Sequence, residues 1–203
     1  MPEAIIDGLD TLGLEMAEED GRKIKWRWVG RYRETNVVVE LLCPVRSRAG
    51  RPEAPAEDTH AEMNVGPGTG IAALAVGLGH LVLDDTIAVT RRVETARGGL
   101  SFEFPVAGIT SWLCLKRDAL MRRDKPKDAY DVVWTLDALG PDEASDAVAT
   151  SSLMAGPDAV EVREQLALLV DDFRDEDPWD PAPTRTSWTR APSPPPHSMP
   201  WAR

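Results

Sequence analysis

Glu40, Lys116, Lys127, Asp128 and Asp131 are the side chains whose types and spacing could do chemistry in this sequence. Glu40 stands in the apolar run Val37–Cys43, sharing a strand face with Val38 and Leu42. A carboxylate there costs several kcal/mol unless it takes up a proton or is compensated. Its compensation could be a metal ion, an arginine or lysine, or solvent at the end of a sheet. Lys116 lies inside an apolar helical stripe with Trp112, Leu115, Ala119 and Leu120. It must either snorkel to water or meet an anion, and a compact ammonium suits a phosphate. Asp128 and Asp131 are three apart and share one helix face, while Ala129, Val132, Val133 and Leu136 form the core face. Asp128 in a first turn also suits the helix dipole, and Lys127 with Asp131 makes an ordinary surface pair at i,i+4.

The elements that must position these groups follow from periodicity. Ile5, Ile6, Leu9, Leu12 and Met16 predict a helix over 3–17. Residues 23–33 alternate, with Ile24, Trp26, Trp28 and Tyr32 on one side and Lys23, Lys25, Arg27, Arg31 and Arg33 on the other. That pattern is a half-buried strand with a basic outer face, joined by the turn Glu34-Thr35-Asn36 to a strand over 37–43 that Pro44 ends. The tryptophans read as core residues, although beside a basic face they could also stack on nucleic-acid bases. Residues 46–70 read as a loop, and Gly66-Pro67-Gly68-Thr69-Gly70 is too poorly framed for a phosphate cradle. A short helix over 71–78, a second hairpin (81–83 with 86–93), a turn at Gly98-Gly99 and an extended segment 102–106 follow. Helices are then predicted over 109–123, from Asp124 or Lys125 to Leu139, weakly over 142–155, and over 158–173, where Ala159, Val162, Leu166, Leu169 and Phe173 form one stripe.

The resulting plan is α+β: a small sheet part over 1–107, a helical part over 108–177, and a tail over 178–203. That tail holds 8 of the 17 prolines and almost no aliphatic residue, so it is expected to be disordered. Its Ser193-Pro194-Pro195-Pro196 could serve as a polyproline ligand or simply as a solvated end. Apolar residues make up 42% of the 203, enough for a core, yet no run is long enough for a membrane span. The N-terminus has no signal-peptide pattern, and a cytoplasmic protein is expected. The net charge of −11 argues against nucleic-acid binding by electrostatics alone. Cys43 and Cys114 read as reduced core thiols. The three histidines, His60, His80 and His197, are too scattered in sequence to suggest a metal site.

The block from Leu115-Lys116-Arg117 through Lys125-Pro126-Lys127-Asp128-Ala129-Tyr130-Asp131-Val132 resembles a signature of nucleotidyltransferase-like proteins of the abortive-infection AbiEii toxin type. Val39-Glu40-Leu41-Leu42 is similar to their third catalytic strand, and Phe104-Pro105 to the lead-in of the following helix. The resemblance covers residues 3–175. It implies transfer of a nucleoside monophosphate from an NTP to a hydroxyl, with Mg2+ as cofactor. The acceptor would be an RNA end or a protein side chain, and a cognate antitoxin a partner. Glu40 would be the metal carboxylate, Lys116 and Lys127 would contact the nucleotide, and Asp128 and Asp131 would position nucleotide or acceptor. The family's Gly-Ser turn and Asp-x-Asp strand are missing, since the one Asp-x-Asp here is Asp175-Glu176-Asp177. The expectation is therefore an N-terminally incomplete nucleotidyltransferase-like sheet in which two-metal catalysis fails. The alternative is a non-catalytic remnant that binds a nucleotide or a partner, with an exposed sheet edge open to homodimerisation.

Overall fold

The computed structural model describes residues 2–45, 61–66, 68–95, 98–122 and 126–174. The architecture is α+β, with three small sheets followed by a helical C-terminal part. Helix α1 (Pro2–Thr11) is shorter than its periodicity suggested. Gly13 has a φ of 67° and turns the chain, so that Met16 falls in strand β1 (Glu15–Glu19) rather than in the helix. Leu9 and Leu14 then pack with Trp28 and Ile71, flanked by Ile5, Ile6, Met16, Val37 and Val39. An apolar spacing of three or four residues served both elements, which is why it did not locate the break.

Strand β2 (Arg22–Tyr32) pairs with β1 on one side and with β3 (Thr35–Glu40) on the other, both antiparallel. The expected hairpin is present: Tyr32 opposes Thr35 and Trp28 opposes Val39. Between Met16 and Ala17 the β1 register jumps from Trp28 to Ile24, so three residues of β2 bulge there. Gly30 lets Leu14 pack closely on β2, because an added Cβ would stand 2.6 Å from the Leu14 side chain and 3.0 Å from the Gly13 carbonyl oxygen.

The strand expected over 37–43 is really two. After β3 the chain bends at Leu41, whose N–H donates to Trp26 O while its carbonyl accepts from Leu74 N–H. Strand β4 (Leu42–Pro44) then enters a second sheet, parallel to β6 (Ala72–Val76), which also carries β5 (Glu62–Asn64) antiparallel. Pro44 thus sits within a strand at the sheet's edge, where a missing N–H is tolerated. Residues 62–64, expected in a loop, and 72–76, expected in a helix, are both strand. Ala72, Ala73 and Ala75 are buried, and a short run of small apolar residues does not distinguish helix from buried strand. Of the loop expected over 46–70, residues 46–60 lie outside the described set, as do residues 123–125 and everything beyond 174.

Leu81 to Leu83, expected in a strand, belong to the short helix α2 (Gly79–Asp84). The real hairpin is β7 (Thr86–Thr95) with β8 (Gly98–Ala107), and Gly98 and Gly99 are paired in it rather than forming its turn. Its register places Val89 opposite Phe104, Val93 opposite Leu100, and Ile87 opposite Val106. One face of this ribbon is therefore largely apolar, interrupted by Arg91 opposite Phe102, and the other carries Thr90, Arg92, Glu94, Ser101 and Glu103. The apolar face is nevertheless open: Ile87, Val93, Leu100 and Phe102 are exposed.

The C-terminal part matches its periodicity closely. Helix α3 (Ile109–Arg122), α4 (Pro126–Leu139), α5 (Pro141–Thr150), a 3-10 turn (Ser152–Met154) and α6 (Ala159–Arg174) enclose two clusters. Leu113, Leu120, Val132 and Leu169 form one, and Leu78, Leu81, Cys114, Leu153 and Val162 the other. Gly140, with a φ of 86°, separates α4 from α5, and Pro141 opens the new helix where its missing N–H costs nothing. Phe173, expected in the α6 stripe, is 45% exposed. Among the described residues no helix is long and apolar enough to cross a membrane.

Candidate functional site

Lys116 sits in the middle of α3 and points at α4. Its Nζ lies 3.0 Å from Asp128 Oδ1 and 2.6 Å from Asp131 Oδ2, and 5.8 Å from the centre of the Trp112 ring. The i,i+3 spacing on α4 is what lets both carboxylates reach one ammonium. Asp128 is buried, and Lys116 and Asp131 are mostly covered. Lys127 reaches the same Asp131 oxygen at 3.3 Å from a largely exposed position. Burial alone would raise the Asp131 carboxyl. The hydrogen bond and charge of Lys116, followed by those of Lys127, outweigh it and hold the pKa below the ordinary carboxylate range. Of the two fates open to Lys116, it takes the anion, and the anion is supplied by its own chain.

Glu40 is compensated in the same way, but elsewhere. It stands directly across from Arg27 in the β2–β3 pair, and Arg27 Nε and Nη2 each lie 2.8 Å from Glu40 Oε1. Arg27 also stacks over the Trp26 ring at 4.6 Å. Both charged groups line an open cleft of about 500 Å³ with Ala17, Glu18, Glu19, Ile24, Val29 and Val38. Lys116 and Asp128 are neither in that lining nor among the partners of Glu40. The structure thus brings Lys116, Lys127, Asp128 and Asp131 together and leaves Glu40 with the sheet.

Asp85, which the sequence did not single out, organises the start of α3. Its Oδ2 accepts the Ser111 N–H at 2.8 Å, its Oδ1 accepts the Ser151 hydroxyl at 3.0 Å, and its carbonyl accepts the Gly108 N–H at 2.7 Å. A carboxylate here meets free backbone N–H groups and the positive end of the helix dipole. Gly108 leaves it room, since an added Cβ would stand 2.5 Å from the Asp85 carboxyl carbon.

The second grouping missed in sequence is His80, Asp158 and Glu161. His80 lies in the first turn of α2, Asp158 just before α6 and Glu161 in its first turn. One ligand atom from each falls within 4.8 Å of the others. The available signal was Asp158-x-x-Glu161 at a helix start, combined with the one histidine in an apolar stretch. Nothing in the spacing tied the two together across the 77 residues between His80 and Asp158. Burial pushes the neighbouring Cys114 thiol up to about 12, with the charges of Asp85 and Glu161 adding to it, so it stays protonated at neutral pH. No protein-family model, curated protein or solved structure matches this chain.

Proposed function

We propose that the chain is a non-catalytic binding protein that associates with a second copy of itself through the apolar face of the β7–β8 ribbon. The observation that carries this reading is the ribbon itself. A two-stranded hairpin is marginal in water unless a third strand or a packed face supports it. Here Val93, Leu100 and Phe102, near its tip, remain exposed. Both outer edges are unpaired among the described residues. An identical ribbon offers the same length, the same apolar face and the same free edges, which is what a two-fold symmetric contact needs. Arg92, Glu94 and Glu103 fall on the opposite face, and Arg91, across from Phe102, is the one charged side chain of the described ribbon that pairing would have to cover or turn outward. Engagement of Glu40 with Arg27, and of Lys116 with Asp128 and Asp131, supports the non-catalytic part of the reading.

Sedimentation equilibrium of the full chain tests it. The expected result is a dimer of the 22.3 kDa chain that becomes monomeric in Leu100→Asp/Phe102→Asp with the circular dichroism unchanged. A wild-type monomer at the highest attainable concentration, or a dimer that survives the double substitution, would overturn it.

The nucleotidyltransferase-like reading has one observation in its favour. Lys116, Lys127, Asp128 and Asp131 converge, as the resemblance implies for a nucleotide site. For that use a triphosphate with Mg2+ must draw Lys116 from its two carboxylates. Calorimetry with ATP, CTP, GTP and UTP, with and without Mg2+, distinguishes the two readings. Mg2+-dependent binding lost in Lys116→Ala supports a nucleotide site, and no heat at millimolar nucleotide removes it.

A further inference from the structure

We infer that His80, Asp158 and Glu161 form a binding site for a first-row divalent transition-metal ion, with Zn2+ the best match to the donor set. His80 Nε2 lies 3.9 Å from Asp158 Oδ1 and 4.0 Å from Glu161 Oε2. Those separations are too long for a hydrogen bond. Charge-assisted nitrogen–carboxylate contacts close to about 2.7–2.9 Å, and neither separation here is that short. Ligand atoms bound tetrahedrally to one zinc ion, at about 2.0–2.2 Å each, stand about 3.3 Å apart. The gap is therefore nearer to the size an ion bridges than to either kind of direct contact.

The independent observation is the histidine. His80 is only 5% exposed, and neither ring nitrogen has a hydrogen-bond partner. Buried imidazole nitrogens are normally satisfied. Here Nε2 faces the two carboxylates across the gap. Asp158 and Glu161 have other interactions of their own; it is the imidazole that is left wanting. An Asp-x-x-Glu pair at a helix start also serves as a cap, which explains the two acids but not a buried, unsatisfied histidine beside them. Two carboxylates and one neutral imidazole balance a divalent cation in charge. Imidazole and carboxylate together suit zinc better than the all-oxygen shells that magnesium and calcium prefer.

The ion would join α2 to the first turn of α6. Leu81, one residue after His80, and Val162, one after Glu161, already meet in the core beside Cys114 and Leu153. Binding to the folded state alone would raise stability by mass action. Three protein ligands leave a coordination position for water.

Zn2+ titration of the chelator-treated full chain, by calorimetry and by thermal unfolding, tests the site. The expected result is a saturable Zn2+ site with a rise in Tm. His80→Gln and Glu161→Gln should each weaken affinity tenfold or more, while Glu164→Gln, on an exposed position of the same helix, leaves it unchanged. Co2+ substitution should give the visible absorption of a low-coordinate nitrogen–oxygen site, lost in Glu161→Gln. Should His80→Gln fail to fold, Glu161→Gln, on a partly exposed residue, decides alone. No saturable Zn2+ binding, or binding indifferent to Glu161→Gln, would overturn the inference.

Discussion

The Lys116–Asp128–Asp131 and His80–Asp158–Glu161 clusters are each built from one basic nitrogen group and two carboxylates three positions apart on or beside a helix. In the first, the nitrogen touches both acids, at 3.0 and 2.6 Å. In the second it stands off from both, at 3.9 and 4.0 Å. A long, flexible ammonium with three donors can satisfy two carboxylates by itself. A short, planar imidazole fixed in a core cannot, so its cluster is left with a gap. Convergence of charged residues is thus weak support for a ligand site, and a buried side chain with no hydrogen bond at either of its polar atoms, as at His80, is stronger support.

The closed cluster should be the more fragile when opened. Lys116→Ala leaves the buried Asp128 carboxylate without its ammonium, and loss of one partner of a buried pair costs about 3–5 kcal/mol. Urea unfolding should show a lower midpoint at constant slope. Replacing the whole cluster, as Lys116→Met with Asp128→Asn and Asp131→Asn, should recover much of the loss, because the penalty lies in burying a carboxylate without its ammonium. A cost below about 1 kcal/mol for Lys116→Ala would show the cluster to be solvated rather than closed.

Asp85 is a third way to settle a carboxylate, using backbone and hydroxyl donors instead of a cation. Gly108→Ala should push it from the start of α3 and cost about 2 kcal/mol, the upper range for a lost helix cap. Asp85→Ala should match that cost if displacement of the cap is the cause. A harmless Gly108→Ala would mean that the α3 terminus adjusts without Asp85.

The helical half was legible because α3, α4 and α6 each repeat apolar residues at one period for fourteen or more residues, long enough for the pattern to exclude a strand. That Asp128 and Asp131 share a face was legible for the same reason, but their meeting with Lys116 was not, because it depends on how α3 packs on α4. Of the sheets, only the β2–β3 hairpin was legible, through its long alternation. Residues 72–76 and 81–83 are short and uniformly apolar or small, and pairing with distant strands or packing on α3 decides their conformation. The apolar run around Glu40 suggests burial, yet its strand face is open to solvent, with Val38 and Leu42 exposed, and its pairing with Arg27 follows from the β2–β3 register. His80 was dismissed because sequence separation hides a neighbour supplied by a different helix.

The open cluster should respond with the opposite sign. His80→Leu removes two buried, unsatisfied nitrogens and fills similar space, so the metal-free protein should gain about 1 kcal/mol. The same substitution should abolish any stabilisation by Zn2+. Destabilisation of the metal-free protein by His80→Leu would show that the imidazole is satisfied where it stands, and the contrast between the clusters would fall.

The smallest effects belong to the rim of the closed cluster and separate its inner contact from its outer one. Lys127 is 81% exposed, and its 3.3 Å contact with Asp131 is screened by solvent. Lys127→Ala should cost less than about 0.5 kcal/mol, and less still in high salt. Asp131 supplies the pH test. Its folded-state pKa is depressed, so the unfolded chain binds its proton more readily. The resulting stability is fully present above the ordinary carboxylate value and is lost as pH falls below about 4 toward the folded pKa. In Lys127→Ala that acid-side loss should persist nearly intact, because Lys116 supplies the larger share of the depression. In Lys116→Ala it should vanish or reverse, since burial then acts on Asp131 with only the outer lysine to oppose it. Equal acid profiles for the two variants would place the dominant contact at the surface, and the cluster would no longer count as closed.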